Sequence, residues 1–268
     1  EDGIRDSVAS RGLGDVYKRQ DRDIAFVPYG ESHIFVLFIF IVCLFLTVVT
    51  GRLLNYERNL LLTRICSLFL SVTLIAWTVA HIKLGRFDPS ANLPLSICNL
   101  FALIAPLLFW KPNERRFEIV YYFILSGTLQ AIITPDPDGG FPSYGFFKYW
   151  IIHCGLVLVA VHQHFAFRLY PRLRGILPTF VWLNIYILCL IPFNIWLDGN
   201  YFYMMNKPAF PSLLDYFGPW PVYIVVTEIL AMVFFALAYV PIIVSRKYFL
   251  KLDTIVHQES WSPKNESS

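Results

Sequence analysis

Charge is scarce in this chain. Asp, Glu, Lys and Arg supply 15% of its 268 residues, against 56% for the hydrophobic types. That balance excludes an ordinary soluble domain, which buries its core with far less apolar sequence. The five cysteines, Cys43, Cys66, Cys98, Cys154 and Cys189, all lie in apolar runs, and none has Cys-x-x-Cys spacing. Disulfide frameworks and zinc sites are therefore not expected. The chain also lacks a phosphate loop, a nucleotide fingerprint and a metal-ligand cluster, so no cofactor and no metal is expected. Its lysines and arginines lie in short loops, not on one stripe. The net charge of +3 thus gives no reason to expect a nucleic-acid partner.

What the chain does have is long apolar runs separated by short polar clusters. Runs of about 20 apolar residues match the thickness of a bilayer core. The expected fold is all-α, a polytopic membrane helix bundle with about seven transmembrane helices. The runs cover 34–50, 61–82, 93–110, 117–134, 146–167, 176–197 and 221–244. Between them fall NYER (55–58), FDPS (87–90), KPNERR (111–116), PDPDGG (135–140) and PRLRG (171–175), which are polar or Pro- and Gly-rich turn sequences. With seven spans, thirteen Lys and Arg residues, from Arg52 to Lys264, fall on one side. Five fall on the other: Arg22, Lys83, Arg86, Lys148 and Lys207. The positive-inside bias then sets the N-terminus outside and the C-terminus in the cytoplasm.

Residues 1–20 are polar, without the apolar core of a signal peptide. Within them, RGLGDVYKRQ (11–20) resembles a translated sequencing-adapter scar from an assembled environmental contig. It is expected to be non-native and hints at a microbial source. Residues 21–250 are expected to form one integral membrane domain, and 251–268 a short cytoplasmic tail. The 198–220 link is rich in aromatics, which suit the headgroup boundary, and is expected to cap the outer surface.

Polar residues inside spans are costly and usually face the bundle interior. Arg64, Glu118 and His164 lie near inner ends, where long side chains reach the interface. The outer set comprises His81, Cys98, Asn99, Gln130, His153, Asn194 and Glu228, drawn from six of the seven expected spans. Cys98 is five residues in from Leu93 and His153 seven in from Phe146. At 1.5 Å per residue these are roughly 7 and 10 Å deep. Pro192, two residues before Asn194, is expected to kink its helix and open a polar cavity there. A thiol and an imidazole at matched depth read as a nucleophile and its base; they also read as two unrelated packing residues. Cys43, Cys66, Cys154 and Cys189 read as small hydrophobes. Gln130, Asn184 and Asn194 read equally as inter-helix hydrogen bonders.

The stretch LPLSICNL (93–100) resembles the signature of the YwaF-like bacterial integral membrane family. That family is related to the eukaryotic transmembrane protein 164 acyltransferase. Further matching stretches are SGTLQA (126–131), TPD (134–136), GFPS (140–143) leading to His153, NYFYM (200–204), KP (207–208) and LLDYFGPWPVY (213–223). The resemblance implies acyl transfer between membrane phospholipids through a cysteine acyl-enzyme assisted by histidine. It matches Cys98 to that cysteine and His153 best to that histidine. Many bacterial members carry His where this chain has Ser96. A multi-pass protein of a bacterial cell membrane follows from the same resemblance. In such a mechanism Asn99, Gln130 or Asn194 donates to the oxyanion, while Glu228 orients His153 or binds a headgroup amine. Hydrolysis of the lipid ester is equally compatible. The competing class is a transporter or channel that uses the same outer polar residues, and a third is a membrane sensor or structural partner.

Overall fold

The computed structural model describes residues 25–207 and 213–260, with side chains up to residue 247. The scar expected at 1–20, Phe210 and the last eight residues lie outside the described residues. The protein is 76% helical, without strands among the described residues. Five helices are long and apolar enough to cross a membrane: α1 (Glu31–Leu53), α2 (Tyr56–Lys83), α7 (Tyr144–Phe167), α8 (Ile176–Leu197) and α9 (Val222–Ser260). Their outward faces are apolar, as on α1, where Phe35, Phe38 and Phe45 are each more than 60% exposed. Such a surface is stable only against lipid.

The other two expected spans are broken into pieces. The first comprises α3 (Ile97–Leu103) and α4 (Ala105–Phe109). They meet at Ile104, whose backbone (φ −94°, ψ 10°) leaves the helical region. Pro106 follows and has no N–H to continue the ladder. The second comprises α5 (Glu114–Phe123), a π-turn (Ile124–Thr128) and α6 (Leu129–Ile133). In the π-turn the Leu129 N–H reaches the Ile124 carbonyl, one residue further back than in an α-helix. Together these pieces run from 114 to 133, long enough for a bilayer at 1.5 Å per residue.

The helix expected to start at Leu93 starts at Ile97 instead. Pro94 lacks an N–H and biases the preceding residue towards extended backbone. Cys98 is therefore the second residue of a helix, and the depth inferred from five helical residues does not apply. The irregular stretch before it is held by tyrosines. The Tyr201 hydroxyl accepts from Leu93 N–H at 2.8 Å and donates to the Pro89 carbonyl at 2.7 Å. The Tyr186 hydroxyl donates to the Leu95 carbonyl. Irregular backbone at membrane depth persists only where it is satisfied inside the protein in this way.

Two apolar clusters build the bundle. One gathers α1, α2, α3, α4 and α7 around Leu70, Ala102, Ile152 and Leu156; the other gathers α5, α8 and α9 around Tyr122, Leu183 and Phe235. Phe101 and Leu125 touch both. Small residues permit close helix approach. Gly155 on α7 faces Leu70, and a Cβ there would lie 2.5 Å from its Cδ2.

The end expected to face the cytoplasm is tied by polar latches. Arg172 donates from its backbone N–H and Nε to the Glu118 carboxylate, each at 2.8 Å. Glu118 is 6% exposed, so it is a buried partner and not the free interface residue expected. Gly175 leaves the room that this carboxylate fills. His164 is likewise buried between the Leu169 carbonyl and Ser245.

Candidate functional site

Where the two clusters meet at the end expected to face outward, they leave a cavity of about 670 Å³. Its walls come from the 90–98 stretch, the π-turn, α7, α8, α9 and the 200–204 segment of the aromatic link. Phe123, Phe202, Tyr203, Tyr223 and Phe235 give it an aromatic lining. Cys98, His153 and Glu228 all line it, and Glu228 is the one carboxylate or cation among its described lining residues. Three residues proposed from sequence on three different helices thus share one space.

The ring of His153 is fixed by its own helix. Its Nδ1 lies 2.7 Å from the Tyr149 carbonyl. A carbonyl only accepts, so Nδ1 carries the proton and Nε2 holds the lone pair. The ring also stacks on Tyr149, with centroids 4.0 Å apart. Tyr149 is anchored in turn through its hydroxyl to the Ala131 carbonyl at 2.8 Å. The group that orients His153 at Nδ1 is thus a backbone carbonyl.

Cys98 Sγ lies 3.4 Å from the hydroxyl of Thr128, the last residue of the π-turn. Thr128 is fully buried and does not line the cavity, so it touches the sulfur from behind. Sequence reading missed it. An SGT motif within an apolar run does not announce a π-turn, and only that turn determines which way position 128 faces.

The amides fall differently. Asn194 is 1% exposed, and both ends of its side chain bind the backbone of Tyr201, at 3.0 and 2.7 Å. It holds the aromatic link in place and does not line the cavity. α8 also runs unbroken through Pro192, so no polar cavity opens at Asn194. Gln130 donates to Thr134, just past the end of its own helix, at 3.2 Å, and neither Asn99 nor Gln130 is among the described residues of the cavity wall. Asn184 bonds its own helix at Phe180.

The rim is phenolic. Tyr223 donates to the Tyr203 carbonyl at 2.7 Å. Burial first, then the charge of Asp136, push the Tyr203 phenol up to about 12. It therefore stays protonated and able to donate at neutral pH. Phe202 and Tyr203 both have positive φ, at 62° and 53°, a conformation costly for aromatic side chains and common at functional segments.

A second cavity, of about 330 Å³, lies between α1, α2 and α7, lined by Cys66, Cys154, Thr63 and His162 among others. It shares no lining residue with the first. Nor do the described residues offer a metal-binding cluster of His, Cys and acidic side chains.

Comparison with known proteins gives one result. No curated protein and no solved structure matches the chain. The family model described as the TMEM164 family matches residues 28–239, a stretch that includes Cys98, Thr128, His153 and Glu228, and the chain belongs to that family.

Proposed function

We propose that this protein is a membrane-embedded acyltransferase that moves a fatty acyl chain between phospholipids through a thioester on Cys98. The observation that carries the reading is the shared cavity. A cysteine thiol and a histidine with a free Nε2 line one largely apolar space of about 670 Å³. That volume lies in the range of small-molecule pockets, room for the ester and part of one acyl chain.

The steps follow from the groups present. His153 Nε2 takes the Cys98 proton, and the sulfur attacks the ester carbonyl carbon. The tetrahedral intermediate collapses, the C–O bond breaks, and the imidazolium returns its proton to the departing lysolipid oxygen. A second lysolipid hydroxyl then attacks the thioester, His153 takes its proton, the C–S bond breaks, and the imidazolium returns the proton to the Cys98 sulfur. The backbone N–H groups of the first turn of α3 have no intrahelical acceptor. Ser96 provides no side-chain cap. They are the donors nearest in sequence to the developing oxyanion. Glu228 is suited to an ammonium headgroup. The aromatic walls keep water out of the thioester, which favours transfer over hydrolysis.

A through-conduit is disfavoured by the packing. Below the cavity, Phe109, Phe117, Tyr122 and Ile124 are all at most 4% exposed. The contacts also support seven crossings. His33 on α1 meets the Ile132 carbonyl at the end of α6 at 3.1 Å, while Asn59 on α2 meets His162 near the far end of α7 at 3.0 Å. We read the broken pieces α3–α4 and α5–α6 as the third and fourth spans. We further propose an outer N-terminus, a cytoplasmic C-terminus and a bacterial plasma membrane of the YwaF-like branch.

The test is acyl exchange between labelled phospholipid and lysophospholipid in reconstituted vesicles. Cys98→Ala is expected to lose at least about 10³-fold in rate, as removal of a covalent nucleophile does, while Cys154→Ala stays within about twofold, as a substitution away from the chemistry should. Equal behaviour of the two variants sinks the reading.

A further inference from the structure

We propose that Thr128 is a positioning residue that holds the Cys98 sulfur and stabilises it as it loses its proton. The proposal rests on the reading of Cys98 as nucleophile and adds a residue to it.

Three observations carry it. First, the Thr128 hydroxyl has left the usual partner of a helical threonine. Thr50, Thr78 and Thr179 each donate to the carbonyl four residues back, at 2.8 to 3.0 Å. Ser126, two residues away in the same π-turn, does the same at Tyr122. The hydrogen bond of Thr128 goes to Cys98 Sγ at 3.4 Å. Second, its place follows from the π-turn, which adds a residue to one turn and re-aims what comes after it. Such turns cluster at functional positions. Third, Thr128 is 0% exposed and outside the cavity wall, whereas Cys98 lines it. The hydroxyl thus reaches the sulfur without occupying the space of a lipid.

The chemistry exploits the fact that either atom can donate. In the resting thiol, S–H or O–H satisfies the contact. When His153 Nε2 removes the thiol proton, the sulfur becomes an acceptor alone and the Thr128 O–H donates to it. A hydrogen bond to a charged group is roughly twice as strong as one between neutral groups, so the contact strengthens as the thiolate forms. That differential is what accelerates a step, as opposed to uniform binding.

The experiment compares Thr128→Val, which keeps the shape and loses the hydroxyl, with Thr128→Ser, which keeps the hydroxyl. Two readouts are taken. One is acyl exchange in vesicles. The other is the alkylation rate of Cys98 by a membrane-permeant maleimide, in a background where Cys43, Cys66, Cys154 and Cys189 are alanine. Thr128→Val is expected to lower both kcat and the alkylation rate by about 10–100-fold, the worth of a hydrogen bond to a charged group, with KM within about twofold. Thr128→Ser is expected to recover most of both. Wild-type rates in Thr128→Val overturn the proposal. So do equal losses in the two variants, which mark a packing role. The alkylation arm needs no lipid turnover. If wild type shows no acyl exchange, the acyltransferase reading fails while the Thr128 proposal is still decided by maleimide.

Discussion

The two cavities flanking α7 contain the same residue types and differ in what those residues are free to do. Each has a cysteine and a histidine in its wall. In the smaller one, His162 has no free nitrogen. The Asn59 amide donates to the carbonyls of Gly51 and Leu54, at 3.1 and 2.9 Å, which leaves its Oδ1 as an acceptor. His162 Nε2–H therefore donates to it at 3.0 Å, and Nδ1 accepts from Thr63 at 3.0 Å. Both His162 nitrogens and the Asn59 amide are spent on tying α1, α2 and α7 together. In the larger cavity, His153 has one nitrogen fixed by Tyr149 and the other available. On the proposed reading, a cysteine and a histidine lining one membrane cavity make a clasp or a catalyst according to one uncommitted lone pair.

The largest expected effect is an opposite response of the two histidines to truncation. His153→Ala is expected to lower acyl exchange by roughly 10²–10⁴, the usual worth of a general base, with little change in thermal unfolding in detergent. His162→Ala is expected to do the reverse. It leaves the Asn59 oxygen and the Thr63 hydroxyl without their partner, at about 1–3 kcal/mol for each unsatisfied group, while the rate per folded molecule holds. If His162→Ala lost activity at full stability, the assignment of clasp and catalyst would be inverted.

Two glycines sharpen it further. Gly127 lines the large cavity, and a Cβ added there meets nothing within 4 Å. Gly127→Leu fills the space that the proposed lipid substrate would occupy. It is expected to lower acyl exchange by at least about tenfold by displacing the ester from near-attack geometry. Stability is expected to hold or to rise by up to about 1 kcal/mol, because glycine is the poorer helix former. Gly155 lines the small cavity beside Leu70. Gly155→Ala pushes on Leu70, but Leu70 lines the same cavity and can shift into it. The expected cost is about 1 kcal/mol, the low end for overpacking, with exchange unchanged. Rates and unfolding midpoints for both variants check the pair. Loss of activity in Gly155→Ala would mean that the two cavities are coupled through α7.

Much of this contrast was legible in the sequence, and what was not has definite causes. Membrane class follows from composition, because long apolar runs admit no other solvent. Cys98 and His153 stand out through the matching motifs and Glu228 through the cost of a carboxylate inside a span, yet Asn99, Gln130 and Asn194 belong to the same outer set and do not line the cavity. The roles of Asn194 and Glu118 were not readable. Their partners are a link backbone seven residues away and an arginine 54 residues away, and apolar periodicity specifies neither. Thr128 was hidden for a more local reason: a single π-turn shifts the register by one residue and leaves composition unchanged. The broken third span was half visible. Pro94 and Pro106 were in plain sight, but an apolar run reads as one helix until the prolines are charged with ending it.

The smallest expected effect tests how Cys98 is presented. The Tyr201 hydroxyl accepts from Leu93 N–H and donates to the Pro89 carbonyl, so Tyr201→Phe removes two of the hydrogen bonds that hold the irregular stretch before α3. The Tyr186 hydroxyl donates only to the Leu95 carbonyl. A buried N–H left alone is rarer and costlier than an under-satisfied carbonyl. Tyr201→Phe is therefore expected to cost about 1 kcal/mol of stability, the worth of a typical hydrogen bond. It should also slow kcat about threefold at unchanged KM, by loosening the approach of the sulfur. Tyr186→Phe is expected to cost less on both counts. Thermal unfolding and exchange rates of the two variants in parallel give the order. If Tyr186→Phe proved the more damaging, Cys98 would be held chiefly through α8 and Leu95, and the aromatic link would serve only as a cover.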